Sequence, residues 1–309
     1  VDISAVVVSF DSEKFLEQGI PSLLGQSVPF RRVIIVDNAS RDGSRAVIGR
    51  FGGVEPLFLP ENVGYAAAAN RGIAMTVSGL VLVANADVQL HPDFNRQVLE
   101  FFTAHPQAGM LSPLLLRFDR RTIDSAGQGR SLGLHPVERG YGRPAARTAL
   151  AEGEVFSVCG AATVFSRTAL ERLQVGDEYY DEDFFMFWED FDIGWRANLL
   201  GVKVFFTPKA VAYHFRGATL PRSRWSRVSL ALARPAALRY HLVKNRYLTL
   251  IKNFRLGRDG WALPFALARD LLWVGALTMR SPQIIIALAR SGAVFRRAWE
   301  KRGIVKDHE

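Results

Sequence analysis

The chain has 309 residues, 49% hydrophobic and 22% charged, with a formal net charge of +9. That is ordinary globular composition with material for a sizeable core, enough for one large α/β domain with an appendage or two modest domains. The single cysteine, Cys159, excludes an intramolecular disulfide; set in an apolar run with no zinc-type Cys/His spacing around it, it reads as a buried inert thiol in a reducing compartment.

The first 115 residues alternate strand and helix signals. Residues 3–10 form a Val-rich apolar run typical of a buried strand, and 12–26 follow with Phe15, Leu16, Ile20, Leu23 and Leu24 on one helical face. A strand at 33–37, a helix from about 41, a short strand at 57–59 and an alanine-rich helix at 66–77 come next. Then follow a strand at 80–84, a helix at 93–105 and a strand at 110–116. Such alternation predicts an α/β fold with a mostly parallel sheet covered on both faces.

Residues 118–153 break the pattern. Gly127, Gly129, Gly133, Gly140, Gly142 and Gly153 are interleaved with Arg and Pro, which reads as a long mobile loop, an active-site flap. A strand at 155–165, a short helix at 167–173, an acidic stretch at 177–192, a helix to 200 and strands at 202–206 and 210–213 complete this part. Beyond Arg216 come basic helices at 236–254, 263–278 and 284–300, and the breaks at Pro221 and Pro235 suggest a boundary between them and the α/β part.

The charge divides at nearly the same place. Residues 1–202 carry a net −7 and residues 203–309 a net +16. A basic C-terminal third suits an anionic partner, membrane lipid or nucleic acid; the bland reading is a solvated basic helical face. The opening residues look like a strand rather than a leader, and charges at Arg269, Asp270 and Arg280 cut the apolar stretch 261–289 into runs of about nine, against the roughly 20 needed to span a bilayer. The expected location is therefore cytoplasmic, with the inner face of the membrane as a place to lie.

Candidate chemistry gathers where apolar strands stop. Asp37 follows Val33, Ile34, Ile35 and Val36; Asn85, Ala86 and Asp87 follow the strand at 80–84; Glu189 and Asp190 follow Phe184, Phe185, Met186, Phe187 and Trp188. In an open α/β sheet ligands bind beyond the carboxyl ends of strands. Asp37 could accept a pyrimidine imide or a ribose hydroxyl, or simply cap a turn. A nicotinamide or flavin site is rejected, because the segment after the first strand, Ser9 to Glu13, has no glycine. Asp87 could take Mg2+ or Mn2+ with substrate phosphates completing the shell, and His214, at the end of a short strand, would be a second ligand. Eight acids within 177–192 argue that like charges raise one another's pKa and make Asp190 a better proton acceptor, although acids in a first helical turn also favour the dipole. Trp188 could stack on a sugar or belong to the core.

Taken in order, several segments resemble the inverting glycosyltransferases of family 2, which have the GT-A fold, and most of all a bacterial branch containing rhamnosyltransferases. The match runs through Val36-Asp-Asn-Ala-Ser-Arg-Asp-Gly, Glu61-Asn-Val-Gly-Tyr-Ala-Ala-Ala-Ala-Asn-Arg-Gly, Asn85-Ala-Asp, Gly160-Ala-Ala, Trp188-Glu-Asp and Ala212-Tyr-His. The resemblance covers about residues 1–216 and implies a GT-A catalytic domain there, with 217–309 as a basic helical region. It implies that Ser9, Phe10 and Asp37 frame the nucleotide, with Gly64, Asn70, Arg71 and Asn85 nearby. Asp87 matches the last residue of the family's D-x-D metal motif, Asp190 its catalytic base and His214 a metal-binding histidine, with Trp188 and Glu189 on the acceptor side. One departure is Asn85, which stands where the motif has Asp and lowers the local negative charge. The implied reaction moves a sugar, rhamnose by resemblance, from a dTDP- or UDP-sugar to a saccharide or lipid-linked acceptor, with Mg2+ or Mn2+ as cofactor. An anionic membrane surface is the expected macromolecular partner rather than nucleic acid, and a homodimer stays open. The rival enzyme, a sugar nucleotidyltransferase, would need a Gly-rich, Arg/Lys-bearing loop that Ser9 to Glu13 lacks. The rival binding module, a basic nucleic-acid binder, leaves the acidic strand ends unexplained.

Overall fold

The computed structural model describes residues 1–215 and 235–307. The apolar runs become β1 (Ile3–Ser9), β2 (Val33–Asp37), β3 (Glu55–Phe58) and β4 (Leu80–Asn85), separated by α1 (Glu13–Leu24), α2 (Ser44–Gly49) and α3 (Tyr65–Ala74). Then come β5 (Val88–Leu90), α4 (Phe94–Ala104), β6 (Ala108–Arg117), β7 (Ile123–Ser125), β8 (Gln128–Arg130), β9 (Pro136–Glu138) and β10 (Gly153–Glu154). β11 (Ala162–Ser166), α5 (Arg167–Leu173), α6 (Glu189–Leu199) and β12 (Lys203–His214) follow. The C-terminal helices are α7 (Ala236–Asn253), α8 (Leu256–Asp259), α9 (Leu263–Arg280), α10 (Gln283–Arg290) and α11 (Gly292–Asp307). The expected division between 216 and 217 lies outside the described residues.

The main sheet runs β10, β12, β6, β11, β4, β1, β2, β3. β1 is parallel to both β2 and β4, β2 to β3, and β6 to β12, while β11 is antiparallel between β4 and β6. Strand alternation splits β1 between two cores. Ile3, Ala5 and Val7 pack with α1 and α4; Val6 and Val8 pack with α3, α5 and α6. Both faces are covered, which is why these strands read as unbroken apolar runs. Leu248 of α7, Ala266 of α9 and Ala298 and Val305 of α11 belong to the second of these cores, so the C-terminal helices share the interior of the α/β part.

Three expectations change. Residues 118–153 are not a free flap, because β7, β8 and β9 lie there and Asp124, Ser125 and Ala126 are fully buried against β6. Their glycines supply turns between very short strands, so no apolar period accumulates. The strand expected from 155 begins at Ala162 instead, leaving 155–161 as a connector that carries Gly160. Finally, α8 and α9 join through residues 260–262 into one 25-residue helical run, Leu256–Arg280, long and apolar enough by length and composition to cross a membrane. Charges every nine residues do not interrupt a helix whose apolar side chains fall between them.

Candidate active site

Parallel strands that start together end together, and here that edge collects the polar residues. Ser9 pairs in register with Asp37, and Val8 with Asn85. Asp37 is buried; its Oδ1 accepts from Arg45 Nε (2.7 Å) and Ser40 N (3.2 Å), while its Oδ2 and the Ser9 Oγ are buried without a hydrogen-bond partner. An unsatisfied buried polar atom costs about 1–3 kcal/mol, so two of them side by side at strand ends mark a place for a polar ligand. Phe10, the next residue, is exposed. Arg45 holds its orientation by donating to Leu59 O (2.7 Å) and lying over the Phe58 ring.

Gly64 immediately precedes α3 at φ +87°, where a Cβ would stand 2.6 Å from Phe185 O, so a side chain is excluded by both backbone and space. Asn62 Oδ1 accepts from Gly64 N (2.9 Å) and from Asn38 Nδ2 (3.0 Å), tying the loops after β2 and β3 together.

A second cluster lies beyond β4. β5 pairs with β12 so that His214 faces Val88, which brings His214 Nε2 to 3.3 Å from Asp87 Oδ2. On the other side His214 Nδ1 lies 2.8 Å from Asp124 Oδ2. Burial favours the neutral ring, but the hydrogen bonds to Asp124 and Asp87 outweigh it and hold His214 up to about 9. A carboxylate on Nδ1 fixes the ring so that Nε2 faces the Asp87 side. One carboxylate and one imidazole could hold a divalent ion, provided the ring gives up its proton when the ion enters. Among the described residues no three His, Cys, Asp or Glu side chains make a complete cage, so phosphate oxygens would have to finish the shell.

Asp190 stands in the first turn of α6, and the apolar run 184–188 before it is a loop rather than the strand its composition suggests. Its Oδ2 accepts from Gly160 N (2.8 Å) and Gln128 Nε2 (3.0 Å), its Oδ1 from Phe191 N (2.8 Å), and its carbonyl from Ser157 Oγ (2.8 Å). A Cβ at Gly160 would come within 3.1 Å of Asp190 Cβ, so glycine permits this approach. Ala161 O in turn accepts from Asn85 N (3.0 Å), and Tyr65, the residue after Gly64, donates to Gly160 O (3.1 Å). Residues 160–161 thus link Asp190 to the strand that leads to Asp87 and to the loop that holds Gly64. Burial pushes the Asp190 carboxyl above its ordinary range; burial, then the neighbouring Asp190 charge, does the same to Glu189, whose Oε2 has no hydrogen-bond partner.

Other expected residues go elsewhere. Asn70 is spent on the protein itself: its amide donates to Tyr180 O (2.8 Å) and Glu182 (3.0 Å) and accepts from Tyr180 N (2.8 Å). Arg71 is exposed in the last turn of α3, seven residues past Gly64 and so about 10 Å along the helix axis. Trp188 is buried edge-on to Phe191 with Arg246 over its ring, leaving no face for a sugar. Mutual repulsion within the acidic stretch reaches Glu189, but Asp190 itself is raised by burial, and Glu178, Asp181, Asp183 and Asp192 are answered by lysines. Lys252 pairs with Asp181 (2.6 Å) and Asp192 (2.8 Å), and Lys301 with Glu178, Asp181 and Asp183. Burial alone would raise Asp181, yet Lys252 and Lys301 hold it below the usual carboxylate range. Part of the basic excess in the C-terminal third is therefore answered inside the molecule. Asp124, Gln128 and Arg45 escape a sequence reading because each reaches the edge from a turn or a very short element with no periodic signal.

The sequence profile of glycosyl transferase family 2 matches residues 4–174, more than half of the chain. The chain belongs to that family. The transferase is 30% identical over 245 residues to the N-acetylglucosaminyl-diphospho-decaprenol L-rhamnosyltransferase of Mycobacterium tuberculosis, covering 71% of this chain and 78% of that protein. Among solved structures, a mannosyltransferase from Pyrobaculum calidifontis in complex with GDP-Man and Mn2+ superposes with a TM-score of 0.58 at 16% identity, over 99% of this chain and 85% of the other. Staphylococcus aureus TarS 1–349 in complex with UDP gives 0.56 at 14% identity, over 100% and 89%. These likenesses carry the fold: the transferase has a GT-A architecture with a C-terminal helical region. Glycosyl transfer, rather than nucleotidyl transfer, is its chemistry.

Proposed function

We propose that the transferase moves a sugar, rhamnose on the strength of its relative, from a dTDP- or UDP-sugar to a lipid-linked saccharide acceptor in cell-surface polysaccharide synthesis. The observation that carries this reading is Asp190, a carboxylate anchored by Gly160 and Gln128 and linked through residue 161 to the strand end that carries Asp87. Asp190 takes the proton of the acceptor hydroxyl; that oxygen bonds to the anomeric carbon as the carbon's bond to the diphosphate oxygen breaks. One displacement inverts the linkage. Its raised pKa suits it to hold that proton. Ser9 Oγ and Asp37 Oδ2 would gain partners from the base or ribose of the donor. Asp87 and His214 would hold a divalent ion, whose contribution when bound is to neutralise charge growing on the leaving diphosphate.

An acceptor carried on lipid gives the C-terminal region a purpose. Leu271 (79% exposed), Leu272 (76%) and Met279 (79%) on α9, with Ile285 and Ile286 on α10, present large apolar side chains to solvent, and Arg258, Arg280, Arg290 and Arg296 are exposed around them. Exposed apolar side chains among free guanidinium groups suit the headgroup region of an anionic bilayer. In this division of labour residues 1–216 are the catalytic unit and 217–309 bring it to its acceptor. The test is transfer itself: dTDP- and UDP-sugars are offered with polyprenyl-diphosphate-linked N-acetylglucosamine, with and without Mn2+, and the product's anomeric configuration is read by NMR. Inverted product that depends on Mn2+ is expected. Retention of configuration, or no transfer from any pyrimidine donor, would refute the proposal.

A further inference from the structure

The chain that leads into Asp190 is held in an unfavourable conformation by a helix the α/β sequence pattern does not include. Phe185 (φ 65°), Phe187 (φ 70°) and Trp188 (φ 73°) all adopt left-handed backbone geometry although none is glycine. L side chains enter that region at a cost and persist there only when their surroundings over-determine them. The loop touches both halves of the site: Phe185 closes against Gly64 and its carbonyl accepts from Ala66 N (3.3 Å), while Trp188 immediately precedes Glu189 and Asp190.

One face of α7 supplies the over-determination. Asn245 is fully buried, and the two N–H donors of its Nδ2 are shared among three loop carbonyls, Phe184 O (2.9 Å), Met186 O (2.7 Å) and Phe187 O (2.7 Å). One turn earlier the His241 ring stacks on Phe185 at 5.0 Å and 15°, and Lys244 Nζ donates to Asp183 O. Two turns further on, Lys252 grips Asp181 before the loop and Asp192 after it, and Asn253 Nδ2 adds a bond to Asp192 (2.7 Å). Residues 241, 244, 245 and 252 recur at helical spacing, so they act as a single template. We infer that α7 is the template that sets the 184–188 loop in its strained form, with Asn245 as the positioning residue through which the C-terminal region controls where the Asp190 carboxylate stands.

The inference rests on Asp190 being the base, and its test keeps the two apart. Asn245→Asp has nearly the same shape but replaces both N–H donors with an acceptor facing three carbonyls; Asn245→Ser keeps a single donor. With donor and acceptor saturating, kcat is expected to fall about 100-fold for Asn245→Asp, the size of effect a displacement of about 1 Å produces, and about tenfold for Asn245→Ser. The Kd for the nucleoside diphosphate should stay within about twofold, because β1 and β2 are untouched. Hydrogen exchange should accelerate across residues 184–190 while β1 and β4 keep their protection. The inference is overturned if both variants retain kcat within about twofold, or if both lose protection throughout the sheet, since Asn245 would then be a general core residue. Asp190→Asn, run in parallel, tests the other premise: full activity there would remove the base assignment, while local exchange in the Asn245 variants would still report whether α7 holds the loop.

Discussion

Replacing Asp190 by Asn separates two effects that the geometry allows to be sized independently. The carboxylate accepts from Gly160 N and Gln128 Nε2 on one oxygen and from Phe191 N on the other. An amide can satisfy the first pair with its oxygen, but its NH2 group then faces the Phe191 N–H. One buried donor loses its acceptor, which costs about 1–3 kcal/mol, partly offset because the buried site no longer disfavours a charge. Stability therefore changes modestly, by no more than about 3 kcal/mol. Catalysis loses the proton acceptor outright. General-base catalysis contributes roughly 10²–10⁴-fold, equivalent to about 3–5 kcal/mol of barrier at 1.36 kcal/mol per decade. Initial rates of transfer at saturating donor and acceptor, measured well below the variant's melting temperature, should show kcat down by that factor with nucleotide affinity nearly unchanged. A kcat within about tenfold of the parent protein, in a variant shown to be folded, would refute the reasoning and move the base elsewhere.

Glu189 gives a pH test. Burial and then the Asp190 charge raise its folded pKa, so its stability contribution is complete below the ordinary carboxylate range and is lost as pH rises through the raised value. Glu189→Gln should therefore raise Tm progressively more between pH 5 and pH 9; a pH-independent difference would contradict this. Lys252→Met leaves Asp181 and Asp192 buried with reduced compensation, and should cost about 3–5 kcal/mol in urea unfolding. Lys252 helps hold Asp181 below its usual range against burial, so without it the carboxyl takes up a proton more readily and the loss should shrink as pH falls toward the ordinary carboxylate range; a loss under about 1 kcal/mol at neutral pH would show the clamp to be dispensable. On the membrane side, Leu271→Asp with Leu272→Asp should abolish flotation with anionic liposomes at low salt while leaving transfer to a water-soluble acceptor intact. Unchanged flotation would mean that α9 is not the contact.

The sequence by itself determined the α/β alternation, because parallel strands covered on both faces must be continuous apolar runs, and it determined that Asp37 and Asp87 stand at strand ends and Asp190 at a helix start, although the apolar run 184–188 that reads as a strand before Asp190 is a loop. Those features are local. Tertiary structure alone decided which partners surround them. Asp124 and Gln128 reach His214 and Asp190 from β7 and β8, three-residue strands too short to leave a period in the sequence. The acidic stretch 177–192 and the basic helices near 250 and 300 each look like a solvated or partner-seeking charge run, yet they meet and neutralise one another in the interior. Composition records how many charges a segment has, but their energy depends on distance and burial, and both are set by contacts between residues 60 to 123 positions apart.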